Sequence, residues 1–221
     1  MKVEQTYQKY LQKVEKNITN DNISTDRGRF VLLFNESQNK FQEWILDKKG
    51  EDDIRYIQHL LEIDKVIPYS QKNLDHYDFP LPKNYFDLSN VYAKCTSGKC
   101  TNQIVRLFEI REEDKNELLQ DEFNKPSFLW RESLYTVSSN QINVYFDEFI
   151  VDNIVLSYYR YPRKITLLNP FDPESTFDET QEIEFDDKTI DRIISICAGE
   201  FDTNNSDPRF QIQKQRIINK I

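Results

Sequence analysis

Apolar residues recur at helical spacing near both ends of the chain and alternate with polar ones in the middle. Val3, Tyr7, Leu11, Val14 and Ile18 are separated by Lys, Glu and Gln, which predicts a helix over 3–18. After the polar connector TNDNIST, Phe30, Leu33, Phe34, Phe41, Trp44 and Ile45 form the stripe of a second helix. It runs from near Asp26 to about Lys48, and Gly50 ends it. Ile54, Ile57, Leu60 and Leu61 predict a third helix over Glu51–Ile63. Its first turn holds Glu51, Asp52 and Asp53, where the helix dipole favours acids.

Pro68, Pro80 and Pro82 then rule out a continuous helix, and from Phe86 the period becomes two. DLSNVYAKC and TNQIVRLFEI predict paired strands around a short loop, and REEDKNELLQD from Arg111 a short charged helix. SLYTVSSNQINVYF predicts two strands joined at Ser138, Ser139 and Asn140, and NIVLSYYRYP a further strand stopped by Pro162. The helical period returns with Ile190, Ile193, Ile194, Cys197 and Phe201. After Asn204 and Asn205, Ser206 or Asp207 can cap a last helix with Pro208 in its first turn. The predicted class is α+β: N-terminal and C-terminal helices packed as a bundle, with an inserted antiparallel β-sheet or sandwich. The expected divisions are a helical part over 1–66, a strand-rich insertion over 67–170, and an acidic loop with C-terminal helices over 171–221.

Composition narrows the function classes. The 221 residues, starting at Met1, are expected to be a complete chain of one domain, or a domain with a subdomain. A formal net charge of −9 opposes general binding to nucleic acid, whose affinity comes from neutralising phosphates. No stretch has the apolar run of a signal peptide or membrane span, and three cysteines suit a reducing compartment. The expectation is a protein made and soluble in a cytoplasm, with no membrane partner. Only four glycines are present, so turns should use Asn, Asp and Ser.

In NIVLSYYRYPRKI, strand alternation puts Ile154, Leu156, Tyr158 and Arg160 on one face and Val155, Ser157, Tyr159 and Tyr161 on the other. A base-stacking platform needs aromatics and cations together on one accessible face. The split favours a sheet strand with tyrosine hydroxyls at its rim over a nucleic-acid surface. Cys95 and Cys100 in CTSGKC resemble half a zinc site, and a hairpin around Gly98 is the simpler reading. The tract 171–187 carries eight acids, Asp172, Glu174, Asp178, Glu179, Glu182, Glu184, Asp186 and Asp187, and no base. It lacks the glycine of a calcium loop. A magnesium nuclease built on Asp172, Glu184, Asp186 and Lys188 is conceivable, and a solvated acidic surface is favoured. His59 and His76 read as structural. No cofactor or metal site is expected. Arg209, Lys214, Arg216 and Lys220 give the last fourteen residues a local surplus of +4. Phe210, Ile217 and Ile221 form a partial apolar stripe between them, suited to docking on a partner or on the chain's own N-terminal helices.

Three segments, PLPKNYFDLSNVYAKC, IVLSYYRYPRKI and IEFDDKTIDRIISICAGEFDTNNSDPRF, occur in this order over roughly residues 80–210. Together they resemble the head-to-tail connector proteins of tailed bacteriophages, the tail-tubular-A-like adaptors and the ring proteins of crAss-like phages. The resemblance implies a non-enzymatic virion protein of the tail or neck. It would form a homo-oligomeric ring, commonly of twelve copies, between the portal protein and the next tail or ring protein, with DNA only as passing cargo. It implies subunit or partner contacts at Tyr158, Tyr159, Arg160, Tyr161, Phe210, Arg216, Ile217 and Ile221. Channel-lining acids would be Asp172, Glu174, Asp178, Glu179, Glu182 and Glu184, repelling phosphate. The alternatives are another tail or baseplate component, a DNA-binding module, or a metal-dependent nuclease.

Overall fold

The computed structural model describes residues 1–15, 26–48, 51–169, 172, 175–178 and 180–204. The protein is α+β. Its chain divides into two compact units, residues 1–59 with 162 onward, and Leu60–Tyr161. The predicted last helix over 208–221 lies outside the described residues.

The discontinuous unit holds α1 (Val3–Glu15), α2 (Arg27–Lys48), the single turn α3 (Glu51–Ile54) and α5 (Asp187–Asn204). Asp26 caps α2, its Oδ1 accepting the Arg29 amide at 2.5 Å. The stripes do what their spacing predicts. Tyr10, Phe30, Phe34, Phe41, Ile45, Ile190 and Ile193 are buried, and α5 packs on both α1 and α2. Lys9 pairs with Asp191 at 2.8 Å along the rim of that contact. The chain after the sheet is held by a side-chain amide. Asn35 on α2 donates to the Ile165 carbonyl at 3.0 Å and accepts the Ile165 amide at 2.9 Å, acting as a strand partner would.

The continuous unit is a curled eight-stranded sheet. In chain order its strands are β1 (Leu61–Pro68), β2 (Gln71–Lys72), β3 (His76–Pro80), β4 (Tyr85–Ser97), β5 (Cys100–Glu109), β6 (Glu132–Ser138), β7 (Gln141–Tyr145) and β8 (Ile150–Arg160). The spatial order is β1-β8-β4-β5-β6-β7-β3-β2. Ile67 of β1 shares a core with Tyr77 and Phe79 of β3, near the opposite end of that order, which requires the sheet to curl. Strand β8 lies between β1 and β4. Cys95 pairs with Val151 while Lys94 pairs with Asn153, so Asp152 is left over as a bulge. The bulge lets Val151 and Ile154, three apart, both enter the core with Leu156 and Tyr158.

Several expectations need correction. The third helix stops at Ile54, and residues 61–68 form β1. Pairing with β8 outweighs the helical stripe there, helped by the β-branched Ile63, Val66 and Ile67. The sheet is mixed, not antiparallel, because β5 and β6 run parallel. The 22-residue passage 110–131 between them, with α4 (Lys115–Gln120), supplies the crossover that parallel strands require. It is also one sheet, not a sandwich of two.

Turns follow the scarcity of glycine. Gly98 opens the β4–β5 loop at φ +56°, where a positive φ suits a two-residue hairpin. Asp64, Asn102 and Ser139 also take positive φ, as do Arg131 and Glu148. Asp64 is the bulged residue of β1, and its amide donates to Ser157 Oγ at 3.1 Å. Ile154, fully buried at the centre of β8, is the sharpest probe of the sheet core. Ile154→Ala should lower unfolding free energy by roughly 2–5 kcal/mol in denaturant titration, with an unchanged slope.

Candidate interaction surface

The passage between the two parallel strands builds an exposed apolar surface on the sheet unit. Outward-facing Phe108 of β5 and Leu134 of β6 are register partners and form a floor. Leu118 of α4 lines the same groove, and Lys115 anchors that helix to the sheet. The Lys115 ammonium lies 3.4 Å from Asp75 Oδ2 and 4.9 Å from the Tyr145 ring centroid. Asp75 also contacts His76 Nδ1 at 2.6 Å, and His76 Nε2 lies 3.1 Å from Asp78.

After α4 the chain is pinned rather than loose. Asp121 accepts the Phe123 amide at 3.0 Å through Oδ1 and the Asn124 side chain at 2.5 Å through Oδ2. These two bonds hold its carboxyl below the usual range. Ser127 and Glu132 exchange backbone hydrogen bonds of 2.8 and 3.1 Å, closing a tight loop whose last residue, Arg131, has φ +58°. Ser127 Oγ accepts the Trp130 amide at 3.3 Å. Within the loop Phe128 turns in, its ring 6.0 Å from that of Phe149. Leu129 and Trp130 turn out, 85% and 75% exposed, and Phe123 beside them is 96% exposed. The groove between floor, helix and loop has a volume of about 670 Å³. Its charged lining is Glu122, Glu132 and Lys125. Lys125 is 3.0 Å from Asp147 Oδ2, so the net character is acidic.

The tyrosine strip is placed differently. Tyr158 and Tyr159 are buried in the folded chain. Tyr158 OH donates to Asn84 Oδ1 at 3.0 Å. Arg160 is largely covered, 3.6 Å from Glu62. Tyr161 is exposed, its ring edge-on to Phe86 at 4.8 Å. Both faces of the strand are occupied, where alternation alone suggested a rim.

The acidic tract does several structural jobs. Glu184 accepts the Arg163 amide at 2.8 Å and pairs with its guanidinium at 3.1 Å. Asp178 holds Thr180 through its amide and hydroxyl, at 2.8 and 2.7 Å. Asp172 and Glu182 are exposed, and the backbone of Glu182 forms an isolated antiparallel β-bridge with that of Lys2. Glu174, Glu179, Phe210, Arg216, Ile217 and Ile221 lie outside the described residues. Asp186 caps α5, its two oxygens accepting the Thr189 amide at 2.9 Å and hydroxyl at 3.1 Å.

Cys95 is buried, which pushes its thiol up to about 12, and Cys100 is exposed across the hairpin; both are free. Among the described residues no three His, Cys, Asp or Glu side chains assemble as a metal site, and no helix is long and apolar enough to cross a membrane. The groove escaped sequence reasoning, although Phe123, Leu129 and Trp130 in an otherwise polar passage were its signal. The chain matches no known family model, and no curated protein sequence matches it significantly.

The Thr189 amide, more than any other group, holds the Asp186 carboxyl below its usual range. Its contribution is therefore full above the unfolded value, about 3.9, and is lost as pH falls through the lower folded value. Asp186→Ala should cost about 1 kcal/mol at pH 7, with the difference from wild type shrinking in acid, as read by thermal unfolding.

Proposed function

We propose that the protein is a structural component of a phage virion, a connector ring between portal and tail through which DNA passes. The observation that carries the reading is the rigid display of Phe123, Leu129 and Trp130. Three large apolar side chains held in solvent by a hydrogen-bonded loop fit a surface covered by another chain. The order of the three motif segments and the inserted sheet unit support the same reading. In it, the terminal helices form the bundle that meets the portal, and the sheet unit meets neighbours and the next tail element.

The channel role then narrows. Of the proposed channel acids that are described, Asp172 and Glu182 are exposed and suited to face DNA, whereas Glu184 and Asp178 are less exposed. Their negative charge keeps the phosphate backbone from adhering.

Native mass measurement, on the protein alone and mixed with portal, should give a discrete closed ring or a portal complex. A monomer at every concentration that ignores portal overturns the proposal. In assembled particles, Asp172→Lys with Glu182→Lys should slow DNA exit while leaving assembly intact.

A further inference from the structure

The groove's chemistry selects an occupant. Its floor is aromatic and aliphatic, and its charged lining is Glu122, Glu132 and Lys125, the last paired with Asp147. The neighbouring stretch 112–117 adds the exposed Asp114 and Glu117, with Glu112 paired to Lys115 and Glu113 to Arg111. Most of a second copy, at net charge −9, would be repelled there. One stretch of the chain differs. Residues 208–221 carry Arg209, Lys214, Arg216 and Lys220 with no acid, and no other fourteen-residue stretch carries four bases without an acid. Phe210, Ile217 and Ile221 in the same stretch stand at spacings of seven and four, the pattern of groove-binding anchors. The described chain reaches Asn204, and the seventeen residues beyond it can span up to roughly 60 Å when extended.

We infer that the C-terminal segment 205–221 of one copy docks in the groove of the next. Ile217 and Ile221 meet Phe108, Phe123 and Trp130, while Arg216 and Lys220 face Glu122 and Glu132. The contact is head-to-tail, because donor segment and acceptor groove are different surfaces, and such contacts build rings when the rotation closes. The inference deepens the ring reading and rests on it for the requirement that copies meet.

The test uses full-length chains bearing a photoactivatable benzoyl-phenylalanine in place of Ile217, made in light and heavy isotope forms and mixed. Cross-links joining heavy to light copies within residues 108–134 are expected. Cross-links confined to a single copy, directed elsewhere, or absent overturn the inference. Glu122→Lys with Glu132→Lys should cut their yield at least tenfold, and adding Arg216→Glu with Lys220→Glu should restore it. An undiminished yield, or no restoration, also overturns it. The mass of the same samples separates the two readings. Closed rings cross-linked elsewhere sink the segment docking alone. Groove cross-links in species that never close sink the ring alone.

Discussion

The antiparallel pairing of β1 with β8 is the constraint on which the rest of the fold depends. Leu61 pairs with Tyr159, so the chain leaves the sheet unit beside the point where it entered. The helical unit is thereby free to be assembled from two distant stretches, with α5 packing on α1 and α2. Without that pairing, nothing in the sheet unit would bring residue 59 near residue 162. The bulge at Asp64 tunes the pairing of β8 with β1 and is satisfied by Ser157, while the bulge at Asp152 tunes its pairing with β4 and brings Val151 into the core.

Strand β8 shows how a sequence pattern can be right in period and incomplete in consequence. Alternation correctly grouped Ile154, Leu156 and Tyr158, which share the sheet core. It could not reveal that Val155, Ser157 and Tyr159 on the opposite face are also buried, because burial of a second face is set by what lies over it. The same limit applies to β1. Leu60 and Leu61 extend the stripe of the preceding helix, and the rule that made them helical takes no account of a partner almost a hundred residues away. The helices α2 and α5 and the hairpins β4–β5 and β6–β7 were legible because their periods are local and their turns carry their own chemistry.

The candidate surface was the least legible part. Phe108 and Leu134 meet only through a parallel register, and Trp130 is turned outward by a loop whose closure depends on Ser127 and Glu132. Nothing in the spacing of those residues announces a groove. The acidic tract gave the converse lesson. Its density suggested one electrostatic role, yet Glu184, Asp178 and Asp186 each answer to a specific amide or guanidinium. A run of like charges is thus partly a set of local caps.

The parallel pairing of β5 with β6 has a temporal consequence. Floor and wall of the groove come from the two strands and from the passage between them, so the cleft exists only once that non-local register has formed. Pairings of this kind are slow to find, since loop closure is unfavourable before the contacts repay it. A nascent chain therefore has no finished cleft until β5, the passage after it and β6 have all emerged and paired.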